Sequence, residues 1–157
     1  MRLWHKDMIQ FLPDMQLKGQ WRECALIADA LAKNGTPNHL LVNRVTEYPM
    51  EDFWVYCEAI VYEMKNRKTA VKEDTCRKIL ENLYVWKEAF CMSPSKVQNA
   101  RFCGVFRGWH NDEYLRICYA NLYEKHFFGI GKSRITDEEW QRLVDGYKAI
   151  TGEEYKI

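Results

Sequence analysis

Apolar residues recur along this chain at the spacing of a helix, and that repeat limits the folds open to it more than any other feature. After Pro13, the residues Leu17, Trp21, Cys24, Ala28 and Leu31 fall at i, i+4, i+7, i+11 and i+14, a single stripe that stops ahead of Gly35 and Pro37. This is the pattern of an amphipathic helix with a stop signal behind it. Residues 50–67 give a second helix, with Phe53, Cys57, Ile60, Val61 and Met64 turned inward and Glu51 and Asp52 near its start, where the helix dipole favours acids. A third, over 72–90, carries Cys76, Ile79, Leu80, Leu83 and Trp86, and a fourth, over 111–127, carries Leu115, Cys118, Tyr119 and Leu122. Near the end, Thr136 and Glu139 form a capping-box pattern ahead of Trp140, Leu143, Val144 and Tyr147. Strand alternation is absent, so the expectation is an all-α fold, a single compact helical domain over residues 1–157.

With 157 residues, 47% of them hydrophobic, the chain can bury one sizeable core. The formal charge of +1 excludes a global pull toward nucleic acid or an anionic membrane, so any such binding must come from local clustering. No apolar run is long enough to span a membrane, and the start lacks the apolar region of a signal peptide. A cytoplasmic monomer without membrane contact is expected. The six cysteines, Cys24, Cys57, Cys76, Cys91, Cys103 and Cys118, form no CxxC pair and have no histidine at ligand spacing. That argues against a zinc site and for free, mostly buried thiols; no metal and no cofactor are expected.

One segment breaks the even spread of charge. From Ala89 to Asn111 there is no Asp or Glu, while Lys96, Arg101 and Arg107 alternate with Phe102, Phe106 and Trp109. Cations neutralise phosphates, and aromatic faces stack on exposed bases. Read on its own, the stretch is better explained as a loop whose aromatics plug the core and whose cations are solvated.

Two further stretches carry unusual polar residues. The chain opens MRLWHKDMIQ, with Arg2, Trp4 and His5 directly behind Met1, and LKGQWRECAL follows with Arg22 beside Glu23. On a helical wheel, Gln16, Gln20 and Glu23 lie along one edge of the apolar stripe, and Arg22 projects about 100° away from Glu23. Glu23 therefore sits where core meets solvent, a position suited to moving protons.

Taken in order, MRLWH, LKGQWREC, a helix ending in EMKNR, and WHNDEYLRICYANLYEK resemble the pyrimidine-dimer DNA glycosylase family of the endonuclease V type, with phage and bacterial members. The likeness is best over residues 1–67 and again over about 109–126. It implies a small, all-helical, metal-independent enzyme that flips nucleotides at ultraviolet lesions in double-stranded DNA, cuts the glycosidic bond and nicks the strand. The family uses the N-terminal α-amine as nucleophile and a Glu on the first long helix, positions that fall here on Met1 and Glu23. Arg2 and Arg22 resemble its phosphate-binding arginines. Gln16 stands where the phage enzyme has a basic aromatic residue, and Leu26 where it has a further arginine. His5, His39, Arg44 and His110 are candidates for the same cleft, with Arg101 and Arg107 as further DNA contacts.

The chemistry of an α-amine fits such a role. With an ordinary pKa near 7.7 to 8.0, a chain-end amine is partly neutral and nucleophilic in a cell, which a lysine reaches only after a large shift. Methionine aminopeptidase acts only where the second residue is small, so Arg2 should keep Met1 in place. Two other functions stay open at this point: a member of the same fold that binds nucleic acid or a nucleotide without catalysis, and a helical interaction protein in which Arg22 and Glu23 form only surface ion pairs.

Overall fold

The computed structural model describes residues 1–89, 104–129 and 134–156. These contain α1 (Asp14–Asn34), α2 (Met50–Asn66), α3 (Glu73–Ala89), α4 (Asp112–Phe128) and α5 (Asp137–Thr151), with 3-10 turns over Lys6–Phe11 and Asn43–Glu47. No strand occurs among the described residues, and the fold is all-α.

Local chemistry sets the helix ends. Pro13 precedes α1, and Gly35 closes it in the left-handed region (φ 72°), its N–H returning to the Leu31 carbonyl. Asn111 caps α4 by accepting the Tyr114 N–H. Thr136 and Glu139 cap α5 reciprocally, each side chain accepting the other's backbone N–H.

Helix α1 lies against α3 and α2. Its stripe of Leu17, Trp21, Cys24, Ala28 and Leu31 is buried, and Ile27 joins it. From α3 the facing residues are Ile79, Leu83 and Trp86. Leu80, expected inward, is 49% exposed, because one position beyond Ile79 turns it about 100° off the buried stripe. Helix α5 packs on the first 3-10 turn and on α4. There Gly146 comes so close to Phe11 that a Cβ on it would overlap the ring.

Arg67, just beyond α2, ties that helix to the chain ahead of α1. Its guanidinium donates to Glu63 Oε1 at 2.6 Å, Asp14 Oδ1 at 2.8 Å, the Leu12 carbonyl at 2.6 Å and the Gln10 carbonyl at 2.9 Å. The hydrogen bond from Arg67 holds the Asp14 carboxyl below the usual range.

The acid-free stretch divides. Lys96, Arg101 and Phe102 lie outside the described residues. Phe106 and Trp109, in contrast, are core residues, packed with Tyr48 and around His110. Phe106 holds a left-handed backbone (φ 53°) that few L-residues adopt, and its N–H donates to Asp52 Oδ2 at 2.8 Å. Burial raises the Asp52 carboxyl, with the Phe106 N–H acting in the opposite sense. For these two aromatics the core-plug reading describes the structure, while Arg107 is exposed.

Candidate active site

The first five residues belong to no helix, yet Leu3, Trp4 and His5 are buried. A buried backbone without regular structure must find its hydrogen bonds elsewhere. Here side chains supply them. Arg2 N donates to Glu23 Oε2 at 3.0 Å, and Trp4 N donates to Gln20 Oε1 at 2.9 Å. Tyr114 Oη donates to the Leu3 carbonyl at 2.6 Å, and Tyr56 Oη donates to the Trp4 carbonyl at 2.8 Å. Lys6 N donates to His110 Nδ1 at 3.0 Å. Partners from α1, α2 and α4 thus fasten an extended strap in one position.

Only the Cα and carbonyl carbon of Met1 separate its amine from the Arg2 amide, so the Glu23 contact brings the carboxylate into the neighbourhood of the chain end. On its other side the Met1 amine lies 3.1 Å from His39 Nε2. His39 is itself fixed. Its N–H donates to Asn43 Oδ1 at 2.8 Å, and its carbonyl accepts the N–H groups of Val42 and Asn43, both at 2.9 Å. Its Nδ1 is buried with no hydrogen-bond partner.

Glu23 also forms part of the wall of a cavity of about 280 Å³, together with Trp4, Gln16, Gln20, Arg22 and Lys125. The helical spacing of Gln16, Gln20 and Glu23 puts all three on that wall. Arg2 stands close by, its Nη2 donating to Asn121 Oδ1 at 2.9 Å and its guanidinium 5.7 Å from the centre of the Trp4 ring. A carboxylate near a chain-end amine, with Arg2, Arg22 and Lys125 close to it, is chemically able to supply a proton carrier, a nucleophile and cations for an anionic ligand.

Residues 1–76 match the family model of pyrimidine dimer DNA glycosylases. That is the family the sequence resembles, and the matched segment contains Met1, Arg2, Gln16, Arg22, Glu23, His39 and Arg44. No curated protein and no solved structure matches the chain. The matched segment does not make the cavity region alone, because Asn121 and Lys125 come from α4, beyond the match.

The remaining candidates take different places. His5, within the strap, and His110, packed against it, are buried at 3% and 7% exposure, and each already accepts a backbone N–H through Nδ1, from Asp7 and Lys6 respectively. Desolvation pushes both imidazoles below their ordinary value, His110 well below it. They hold the strap in place rather than lining the cavity. Arg44 is exposed, with its Nε 3.5 Å from Glu47 and its guanidinium 5.6 Å from the centre of the Trp109 ring. Arg107 is exposed as well, and Arg101 lies outside the described residues. Asn121 and Lys125 were missed in the sequence, although their i, i+4 spacing on α4 puts two polar groups on one face. Among the described residues no cluster of His, Cys, Asp or Glu has metal-binding geometry, and no helix is long and apolar enough to cross a membrane.

Proposed function

We propose that the protein is a DNA glycosylase with lyase activity, acting on damaged pyrimidines, most naturally dimers, through a Schiff base on the Met1 α-amine. The observation that supports this reading is the 3.0 Å contact between Arg2 N and Glu23 Oε2, which brings the carboxylate near the chain end. The match of residues 1–76 to the pyrimidine dimer glycosylase family supports it.

On this reading the neutral amine forms a bond to C1′ as the glycosidic bond breaks, the electron pair leaving on the pyrimidine. The new C1′ ammonium then loses a proton, the C1′–O4′ bond opens onto O4′, and O4′ takes up a proton. Glu23 carries that proton from nitrogen to oxygen, leaving an iminium. Its carboxylate next removes a proton from C2′, and the C3′–O3′ bond breaks with its electron pair on the departing phosphate. Arg2, Arg22 and Lys125 hold backbone phosphates of the distorted duplex, and base flipping gives access to C1′.

The test is covalent trapping. Untagged protein is incubated with duplex DNA that contains an abasic site or a cyclobutane dimer, borohydride is added, and the adduct is sought on a denaturing gel. Trapping that disappears in Glu23→Gln, or when an extension blocks Met1, supports the reading. Tight binding of the damaged duplex without trapping or nicking would overturn it in favour of a non-catalytic binding module.

A further inference from the structure

The contact between Met1 and His39 points to a second proton-handling group. We infer that His39 is the base that takes the proton from the Met1 α-ammonium and so produces the nucleophile; this deepens the amine reading above and rests on it. Sequence resemblance offered His39 only as a candidate for touching DNA. In the structure its Nε2 faces the amine instead, at 3.1 Å.

The hydrogen bond has two forms that differ by one proton. In the first, the ammonium donates to the lone pair of a neutral imidazole. In the second, the imidazolium donates from Nε2 to a neutral amine. Only the second leaves nitrogen with electrons for attack. Imidazole and α-amine are close in ordinary proton affinity, so moving a proton between them is easily reversed. The Nδ1 of His39 is buried without a hydrogen-bond partner, so its contact with the amine is made through Nε2 alone. Its backbone is held in place, because Asn43 Oδ1 accepts the His39 N–H and the turn that follows ties down its carbonyl. Asn38, just ahead, sits in the left-handed region at φ 53°.

The step balances as follows. Nε2 takes one proton from the α-ammonium, and the amine lone pair forms the N–C1′ bond while the C1′–N1 bond breaks onto the pyrimidine. The imidazolium gives its proton to solvent, and the pyrimidine anion takes one from solvent. Imidazole ends neutral, the new C1′ nitrogen is cationic, and the proton has passed from ammonium to leaving base. Glu23 and His39 thereby divide the work: His39 acts on the amine before attack, and Glu23 acts on the sugar after it.

The experiment compares wild type, His39→Gln, His39→Asn and Glu23→Gln, all untagged, with circular dichroism confirming the helical fold of each. Formaldehyde with cyanoborohydride first labels the α-amine in the absence of DNA, read as methylation of the N-terminal peptide by mass spectrometry across pH. Trapping on abasic-site DNA is then measured over the same range. Both rates in the His39 variants should fall about tenfold or more near neutral pH and approach wild type at alkaline pH, where solvent removes the proton. Glu23→Gln should keep normal methylation and lose trapping. Methylation in the His39 variants that follows the wild-type pH profile would overturn the role of His39. If those variants also trap normally, the amine chemistry itself stands. Wild-type methylation that depends on His39 without any DNA trapping would support the amine–imidazole pair and overturn the lyase reading.

Discussion

The imidazoles of His5 and His110 are stacked with ring centroids 5.2 Å apart, and both accept strap or turn amides through Nδ1. Each Nε2 is buried without a partner. Protonating either ring would place a charge in the core and remove an acceptor from a backbone N–H. The consequence is a stability that depends on pH. Desolvation is the main cause of the lowered value in both rings, so the unfolded chain binds these protons more readily than the folded one. Stability should hold above the ordinary histidine value near 6.5 and fall as pH drops from there, by up to about 1.4 kcal/mol per pH unit for each ring. Urea unfolding followed by tryptophan fluorescence between about pH 5 and 8 measures this, a range above the region in which Asp14 loses its charge. His110→Gln, which keeps an acceptor for Lys6, should flatten the slope.

Gly146 tests how closely α5 approaches the first 3-10 turn. On helix propensity alone, Gly→Ala would stabilise by about 1 kcal/mol. Overlap with Phe11 opposes that gain, and forced repacking of a filled core costs about 1 to 3 kcal/mol. Gly146→Ala is therefore expected to destabilise. In a Phe11→Ala background, which lacks the overlapping ring and its Cγ, the same change should no longer destabilise, a coupling that a double-mutant cycle by thermal or urea unfolding would read.

Replacing Arg67 with Met keeps an unbranched apolar stem and removes the guanidinium donors. Glu63 and the carbonyls of Gln10 and Leu12 then lose that partner, although Arg142 Nη2 still donates to Leu12 O at 3.0 Å. A loss of about 2 to 4 kcal/mol is expected in urea unfolding. The change lies away from the cavity wall, so trapping per folded molecule should be unaltered.

Gln20→Ala should have the opposite balance, with a local effect larger than its global one. The Trp4 N–H would lose its partner beneath a buried strap, at about 1 to 3 kcal/mol. Hydrogen exchange should show loss of protection at the Trp4 amide while the core of α1 stays protected. Because the same strap holds the amine at His39 and the Arg2 amide on Glu23, trapping on the proposed reading should fall even where the protein remains folded.

Much of this arrangement could be read in the sequence where it depends on neighbours along the chain. The stripe from Leu17 to Leu31 placed α1, and Thr136 with Glu139 placed the start of α5, because helix periodicity and caps are local. The same wheel put Gln16, Gln20 and Glu23 on one edge, and that edge is the cavity wall. Leu80 was misread because one position on a helix is enough to leave a buried stripe. The 3-10 turn over Lys6–Phe11 gave no signal, being too short to show a period. The strap was hidden for another reason. Its partners Tyr56, His110 and Tyr114 are separated from it by many residues, and no spacing rule marks a tyrosine hydroxyl as a distant backbone's donor. His39 could be named but not aimed, since its position against the amine comes from a turn closed by Asn43.

The strap also carries a consequence for how the protein is made. On the proposed reading, which takes the Met1 amine as the free chain end, Met1 and Arg2 leave the ribosome first, but Arg2 reaches Asn121, and the strap needs His110 and Tyr114 before its hydrogen bonds are complete. At synthesis speeds of about 5 to 20 residues per second, more than a hundred residues correspond to a delay on the order of ten seconds. During that interval the end of the chain is an unstructured peptide, open to every enzyme that trims or modifies nascent N-termini. The finished fold comes too late to shield it. On the proposed reading, the chemical fate of the amine is therefore decided during translation, by the bulk of the Arg2 side chain in a peptidase pocket, and the fold receives whatever terminus that encounter leaves.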